Sequence, residues 1–277
     1  MSSRVTIKEF PQAALVGTWF PPAPSVKKNA FLIGCAMGVT QKYYHHLAEY
    51  LSESGYTVLT FDYRGTGDSA PARLRGYRIN LFDWADDIRY ALEYLKTKNP
   101  DDEIIFLGHS IASQLFGFVD GKNLASRAIF LASSTGYWAD GIGLSKWKNL
   151  FLLSVVMPFS NAVWGYTNAK FFKQGENYPK GPSLQWRRWC LHPNYFAIEN
   201  LRSLKPFAEF SGPIRSYYFT DDPIANEATA KKLLAAYTNS NTVLIKKKPS
   251  DYQQASIGHT GFLSRKFRSS FWQELAS

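Results

Sequence analysis

Short apolar runs alternate with helical patterns along most of this chain, and that rhythm limits the folds open to it. Ala30–Gly34, Thr57–Phe61, Ile104–Leu107, Arg127–Ala132, Ile214–Phe219 and Thr242–Lys246 read as strands, most of them nearly continuous in apolar residues. Helical patterns lie between them. Tyr43–Ser54 carries Tyr44, Leu47 and Leu51 on one face, and Asp83–Lys96 carries Ile88, Ala91, Leu92 and Leu95. Ile111–Phe118, Asn226–Tyr237 and Phe262–Leu275 supply three more helices. Strands without polar alternation must be buried on both faces, which requires helices above and below a mainly parallel sheet. The expected class is α/β. Two further strand-like runs, Val5–Lys8 and Ala14–Phe20, open the chain before a proline-rich break.

The rhythm stops at Ser133 and resumes after Leu204. The segment between is rich in aromatic residues, including Trp138, Trp147, Trp164, Trp186 and Trp189. The expected organisation is a core made of residues 1–132 and 205–277, with residues 133–204 inserted as a helical cap. The aromatics either line a water-excluding pocket or form the core of the insertion. The apolar run Asn149–Phe159 is about half the length of a membrane span, and it reads as a helix of the cap or core.

The formal net charge is +10, but the charges are scattered and the densest run is only Lys246–Lys248. No zinc-finger spacing, homeodomain-like helix or RNA-binding aromatic signature accompanies it, so no nucleic-acid partner is expected. Met1–Phe10 lacks an apolar signal core. The two cysteines, Cys35 and Cys190, form neither a disulfide framework nor a metal site, and free thiols suit a reducing compartment. The expectation is a cytoplasmic protein that needs no metal or organic cofactor.

The chemistry is concentrated at Gly108-His109-Ser110-Ile111-Ala112, where an apolar strand gives way to a helix. A serine on so tight a turn needs small residues two places before and two after it. Gly108 and Ala112 meet that need. The turn projects the hydroxyl from the C-terminal edge of the sheet, and the N–H of Ile111 opens the next helix, where it can stabilise an oxyanion. Serine needs a base. Three of the five histidines precede or belong to the motif, and His192 lies in the insertion. His259 is the one that follows the last strand, in a loop flanked by Gly258 and Gly261. The acid should end the preceding strand, where Asp221 and Asp222 stand together. Asp222 is preferred because Pro223 pins its turn, with Asp221 as the alternative. The second oxyanion donor is assigned by position to the N–H of Met37, in the loop after Ala30–Gly34.

With these residues in place, the chain resembles the α/β-hydrolase superfamily, and within it a bacterial group of predicted hydrolases. The resemblance rests on "AMGVTQKYYHHLAEYLSESGYTVLTFDYRGTGDS", "FLGHSIASQ", "STGYWAD", "WRRWC", "FTDDPIA" and "IGHTGFL". Phe61–Ser69 is also similar to the corresponding stretch of serine aminopeptidases and monoglyceride-lipase-like hydrolases. The family implies a catalytic triad at Ser110, Asp222 and His259. It usually carries two glycines where this chain has Ala112 and Ser113; Ala112 is still small enough for the turn, while Ser113 is expected to crowd the helix packing slightly. The implied activity is hydrolysis of an ester or related acyl bond in a small apolar substrate. Acyl transfer, peptide hydrolysis and a non-catalytic binding role are the alternatives. Arg187 and Arg188 offer either an anion contact or a solvated helix face.

Overall fold

Six strands form the parallel part of the sheet and fall where the apolar runs place them. In the computed structural model, which describes residues 1–24, 27–202 and 205–277, they are β3 (Asn29–Gly34), β4 (Thr57–Phe61), β5 (Glu103–His109), β6 (Ala125–Leu131), β9 (Ile214–Phe219) and β10 (Thr242–Lys247). All pair in parallel. β1 (Ser3–Glu9) and β2 (Ala14–Phe20) add an antiparallel edge, giving the order β1-β2-β4-β3-β5-β6-β9-β10 among the described residues. Every residue of β4, and all but the first of β3 and β5, is buried.

The strand order dictates where a site can form. The chain leaves β3 toward β4 through α1 (His45–Glu53), then returns past β3 to β5 through α2 (Leu81–Lys98). Two right-handed crossovers in opposite directions place these helices on opposite faces. Between β3 and β5 the direction of winding reverses, which leaves a crevice beyond their carboxyl ends. The register aligns Gly34 with Gly108. The loop through Met37 therefore lies beside the turn that carries Ser110.

The expected final helix Phe262–Leu275 is broken. It consists of two 3-10 turns, Gly261–Leu263 and Arg265–Phe267, followed by α9 (Phe271–Leu275). Leu263, Phe267, Phe271 and Leu275 are all buried, four residues apart, a spacing that reads as helical in sequence. Tertiary packing of the aromatics, rather than one helix axis, satisfies that pattern.

The segment between β6 and β9 contains α4 (Ser145–Phe151), a π turn (Leu152–Val156) and α5 (Met157–Val163) in one continuous rod. A two-stranded pair follows, β7 (Tyr166–Thr167) with β8 (Tyr178–Pro179), then α6 (Lys180–Cys190) and a 3-10 stretch, Tyr195–Arg202. The expected boundary at Leu204 lies outside the described residues. After it come α7 (Lys205–Ala208) and α8 (Glu227–Leu234), the latter capped by Asn226 in a reciprocal box with Thr229. Hydrogen bonds from Glu176 N–H to the Gly38 carbonyl at 2.7 Å and from Leu81 N–H to Gln185 Oε1 at 2.8 Å tie the segment between β6 and β9 to the rest of the chain.

Candidate active site

Ser110 stands between β5 and α3 (Ile111–Phe116) with φ +53° and ψ −115°, a strained conformation for any residue with a side chain. The small neighbours are required by contact. A Cβ on Gly108 would lie 2.8 Å from the Phe106 ring and from Ser113 Oγ, and one on Gly34 would lie 2.8 Å from the Ala112 methyl. Gly34 thus makes room for Ala112. The expected crowding by Ser113 does not arise. Its hydroxyl is absorbed in buried hydrogen bonds, 2.9 Å to the Gly108 carbonyl and 2.6 Å to Ser133 Oγ.

The structure brings His259 and Asp222 together. The imidazole Nδ1 lies 2.8 Å from Asp222 Oδ2, and the Asp222 side chain is fully buried. The other carboxylate oxygen, Oδ1, accepts N–H bonds from Ile224 at 2.8 Å and Ala225 at 3.1 Å. Its geometry is therefore fixed on both sides. Asp221 does something different. Its Oδ2 accepts from Ile257 N–H at 2.8 Å and Gly258 N–H at 3.0 Å, and so anchors the loop that carries His259. Gly258, at φ +58°, permits the reversal of that loop. Neither aspartate caps α8.

Ser110 and His259 share the walls of one cavity of about 220 Å³. Among the described residues no hydrogen bond joins the Ser110 hydroxyl to the imidazole. Met37 lies on the same wall, and Ile111 N–H sits at the first position of α3, where a helix has no internal acceptor. Trp138, Leu153, Val156, Met157 and Trp186, from the segment between β6 and β9, also line the cavity. The aromatics thus serve two ends, since Trp189 is wholly buried in the packing. Arg187 and Arg188 are absent from the cavity wall among the described residues. Arg187 donates to the Leu153 carbonyl at 2.6 Å, and Arg188 pairs with Glu199.

His109 was not singled out by sequence reasoning for any role, and Tyr44 reads there only as an apolar helix face. Both join a buried relay. Ala36 N–H donates to the Tyr44 hydroxyl at 2.9 Å, and that hydroxyl lies 2.6 Å from His109 Nδ1. His109 Nε2 lies 2.9 Å from the His259 carbonyl. With Nε2 donating to the carbonyl and Nδ1 accepting from tyrosine, the neutral ring satisfies every partner. Burial, followed by the nearby His259, holds the His109 pKa well below its ordinary value. The relay clamps the Met37 loop and the His259 loop to the end of β5.

This imidazole has a consequence for stability. As pH falls below about 6.5, the unfolded chain protonates it while the folded chain resists. Folding stability is present above that value and is lost on acidification, by up to about 1.4 kcal/mol per pH unit. Asp62, raised to about 6, and Asp87, raised to about 7, both by burial, work in the opposite sense. Comparison with His109→Gln cancels them. Urea midpoints taken between about pH 7.5 and about pH 5.5 should fall more steeply in the wild-type chain than in the variant. Equal slopes would mean that the ring protonates freely in the fold.

Both thiols are buried. Burial raises the pKa of both Cys35 and Cys190, and the Cys35 thiol lies 3.2 Å from the Phe61 carbonyl. Among the described residues no group of His, Cys, Asp and Glu could hold a metal ion.

A mostly parallel sheet with a strained serine at its reversal point defines the α/β-hydrolase fold. The family model described as "Serine aminopeptidase, S33" matches residues 27–170, and the chain belongs to that family. No curated protein matches it by sequence. Among solved structures it is similar to a soluble variant of Saccharomyces cerevisiae monoglyceride lipase, at TM-score 0.67 and 16% identity over 100% of this chain and 93% of that one. A Paleococcus ferrophilus monoacylglycerol lipase matches at TM-score 0.62 and 12% identity, over 95% and 96% of the two chains. A Pyrococcus furiosus esterase matches at 0.61 and 13%, over 99% and 88%.

Proposed function

We propose that this chain hydrolyses esters of small apolar acyl groups, with Ser110 as nucleophile, His259 as general base and Asp222 as the acid that orients the base. The observation that carries this reading is the bond between a fully buried Asp222 and His259, which lines the same cavity as Ser110. With Nδ1–H held by the carboxylate, Nε2 is left to accept the serine proton. Hydrogen bonds of this kind are often long in a free enzyme and tighten when substrate binds. The serine oxygen attacks the ester carbonyl and the alkoxide leaves with a proton from the imidazolium. Water, deprotonated by the same imidazole, then releases the acid. The N–H groups of Ile111 and Met37 hold the oxyanion in both halves. Residues 133–204 act as the cap, and residues 1–132 and 205–277 as the catalytic core.

The lining of the cavity supports an apolar substrate. Its walls are mainly aliphatic and aromatic, and among the described residues lining it there is no carboxylate. An aminopeptidase must hold the α-ammonium of its substrate, and a buried ammonium needs a counter-charge. The absence of a lining carboxylate favours an ester of an apolar acid. A volume of about 220 Å³ exceeds the roughly 150 Å³ that accommodates benzene. The expected best substrates in a series of p-nitrophenyl esters carry acyl chains of about four to eight carbons. A flat profile, or faster release from aminoacyl anilides, would reject this assignment. Adding alcohol or amine acceptors to the same assay separates hydrolysis from acyl transfer.

A further inference from the structure

Leu144, just before the rod of α4, the π turn and α5, and Trp147, Phe151, Val155, Phe159 and Val163 within it face solvent, each between 45% and 77% exposed. Their spacing is three residues and then four throughout. Steps of four advance about 40° per step around an ordinary α-helix, so such a stripe would wind off the face. The wider π turn at Leu152–Val156 takes up that drift in the middle of the rod. Leu153, Met157 and Asn161 bury the opposite side. An apolar stripe this long on a folded surface marks an interaction site rather than scattered exposure.

Charge decides what covers it. From Gly141 to Gly175 the chain has four lysines, Lys146, Lys148, Lys170 and Lys173, and no aspartate or glutamate. Lys148 and Lys173 are exposed. Lysines beside an apolar helix face carrying Trp and Phe suit a negatively charged lipid surface. A second copy of the chain would set lysine against lysine. The stripe also borders the entrance to the cavity. Leu152, Val156, Phe172 and Ile224 line both the cavity and the outer groove, and Phe151 lines that groove.

We propose that this face of the insertion docks on anionic lipid bilayers, lying in the headgroup region so that the cavity entrance opens toward the lipid. The docking does not span the membrane, since among the described residues no helix is long and apolar enough to do so. An apolar ester dissolved in the bilayer would then reach Ser110 without crossing water.

The test is co-sedimentation of the full chain with vesicles of phosphatidylglycerol and, separately, of phosphatidylcholine, over a range of salt. Binding is expected to phosphatidylglycerol and to weaken as salt rises. Val155→Ser/Phe159→Ser and Lys146→Glu/Lys173→Glu should each lower the partition coefficient by about tenfold or more. These positions lie outside the cavity wall, so turnover of a water-soluble ester should be unchanged. Ser110→Ala should bind vesicles like the wild type, so the docking is judged even if the chain proves catalytically inactive. The proposal is overturned by equal partition of wild type and both variants, or by failure to bind phosphatidylglycerol at low salt. It is equally overturned if a dimer in solution dissociates on Val155→Ser/Phe159→Ser while vesicles remain unbound.

Discussion

Alanine at position 110 should lower kcat/KM toward p-nitrophenyl esters by about 10⁶-fold and leave the fold standing. The hydroxyl is the only atom removed, and among the described residues it carries no hydrogen bond whose loss would unsettle the turn. Labelling by a fluorophosphonate probe, which needs an activated hydroxyl, should vanish with it. The strain at φ +53° and ψ −115° remains in the alanine variant, because it arises from the Cβ. Ser110→Gly should be equally inactive yet more stable than Ser110→Ala by about 1 kcal/mol, since glycine occupies this mirror-image region at little cost. Thermal unfolding of the two variants reads that difference. Activity within tenfold of wild type in Ser110→Ala would place the nucleophile elsewhere.

The second large effect separates two adjacent aspartates. Asp222→Asn should reduce kcat by about 10⁴, because the amide no longer stabilises the imidazolium and favours the wrong tautomer of His259. KM should change little, since Asp222 lies behind the imidazole and touches no substrate. Asp221→Asn keeps an oxygen that accepts from Ile257 and Gly258, and should stay within about tenfold of wild type. Asp221→Ala loses that anchor and should reduce kcat further than Asp221→Asn. A larger loss from Asp221→Asn than from Asp222→Asn would exchange the two roles.

Much of the fold is legible in the residues. The parallel strands follow from apolar runs too continuous for a one-sided sheet, and Ile214–Phe219 is found with the ends read from sequence. The elbow is legible because a strand, a tight turn and a helix leave compositional marks at Gly108 and Ala112. His259 is legible by position and by Gly258. Other features carry no such mark. Tyr44 is an apolar position on a helix by pattern, and only the approach of His109 gives its hydroxyl a purpose. The broken helix after Gly261 keeps helical spacing in sequence, while buried phenylalanines set its actual course. The outward stripe on the insertion is likewise ambiguous, because an apolar period does not say which side faces the protein.

The order of apolar and polar residues along the chain was enough to determine the class of fold, the strained serine turn and the histidine loop, because each depends on local sterics and burial within a few residues. The different hydrogen-bond partners of Asp221 and Asp222, the relay through Tyr44 and His109, the shape of the cavity and the outward apolar face come from tertiary structure alone. Each depends on groups tens to hundreds of positions apart whose distances and directions no local pattern encodes.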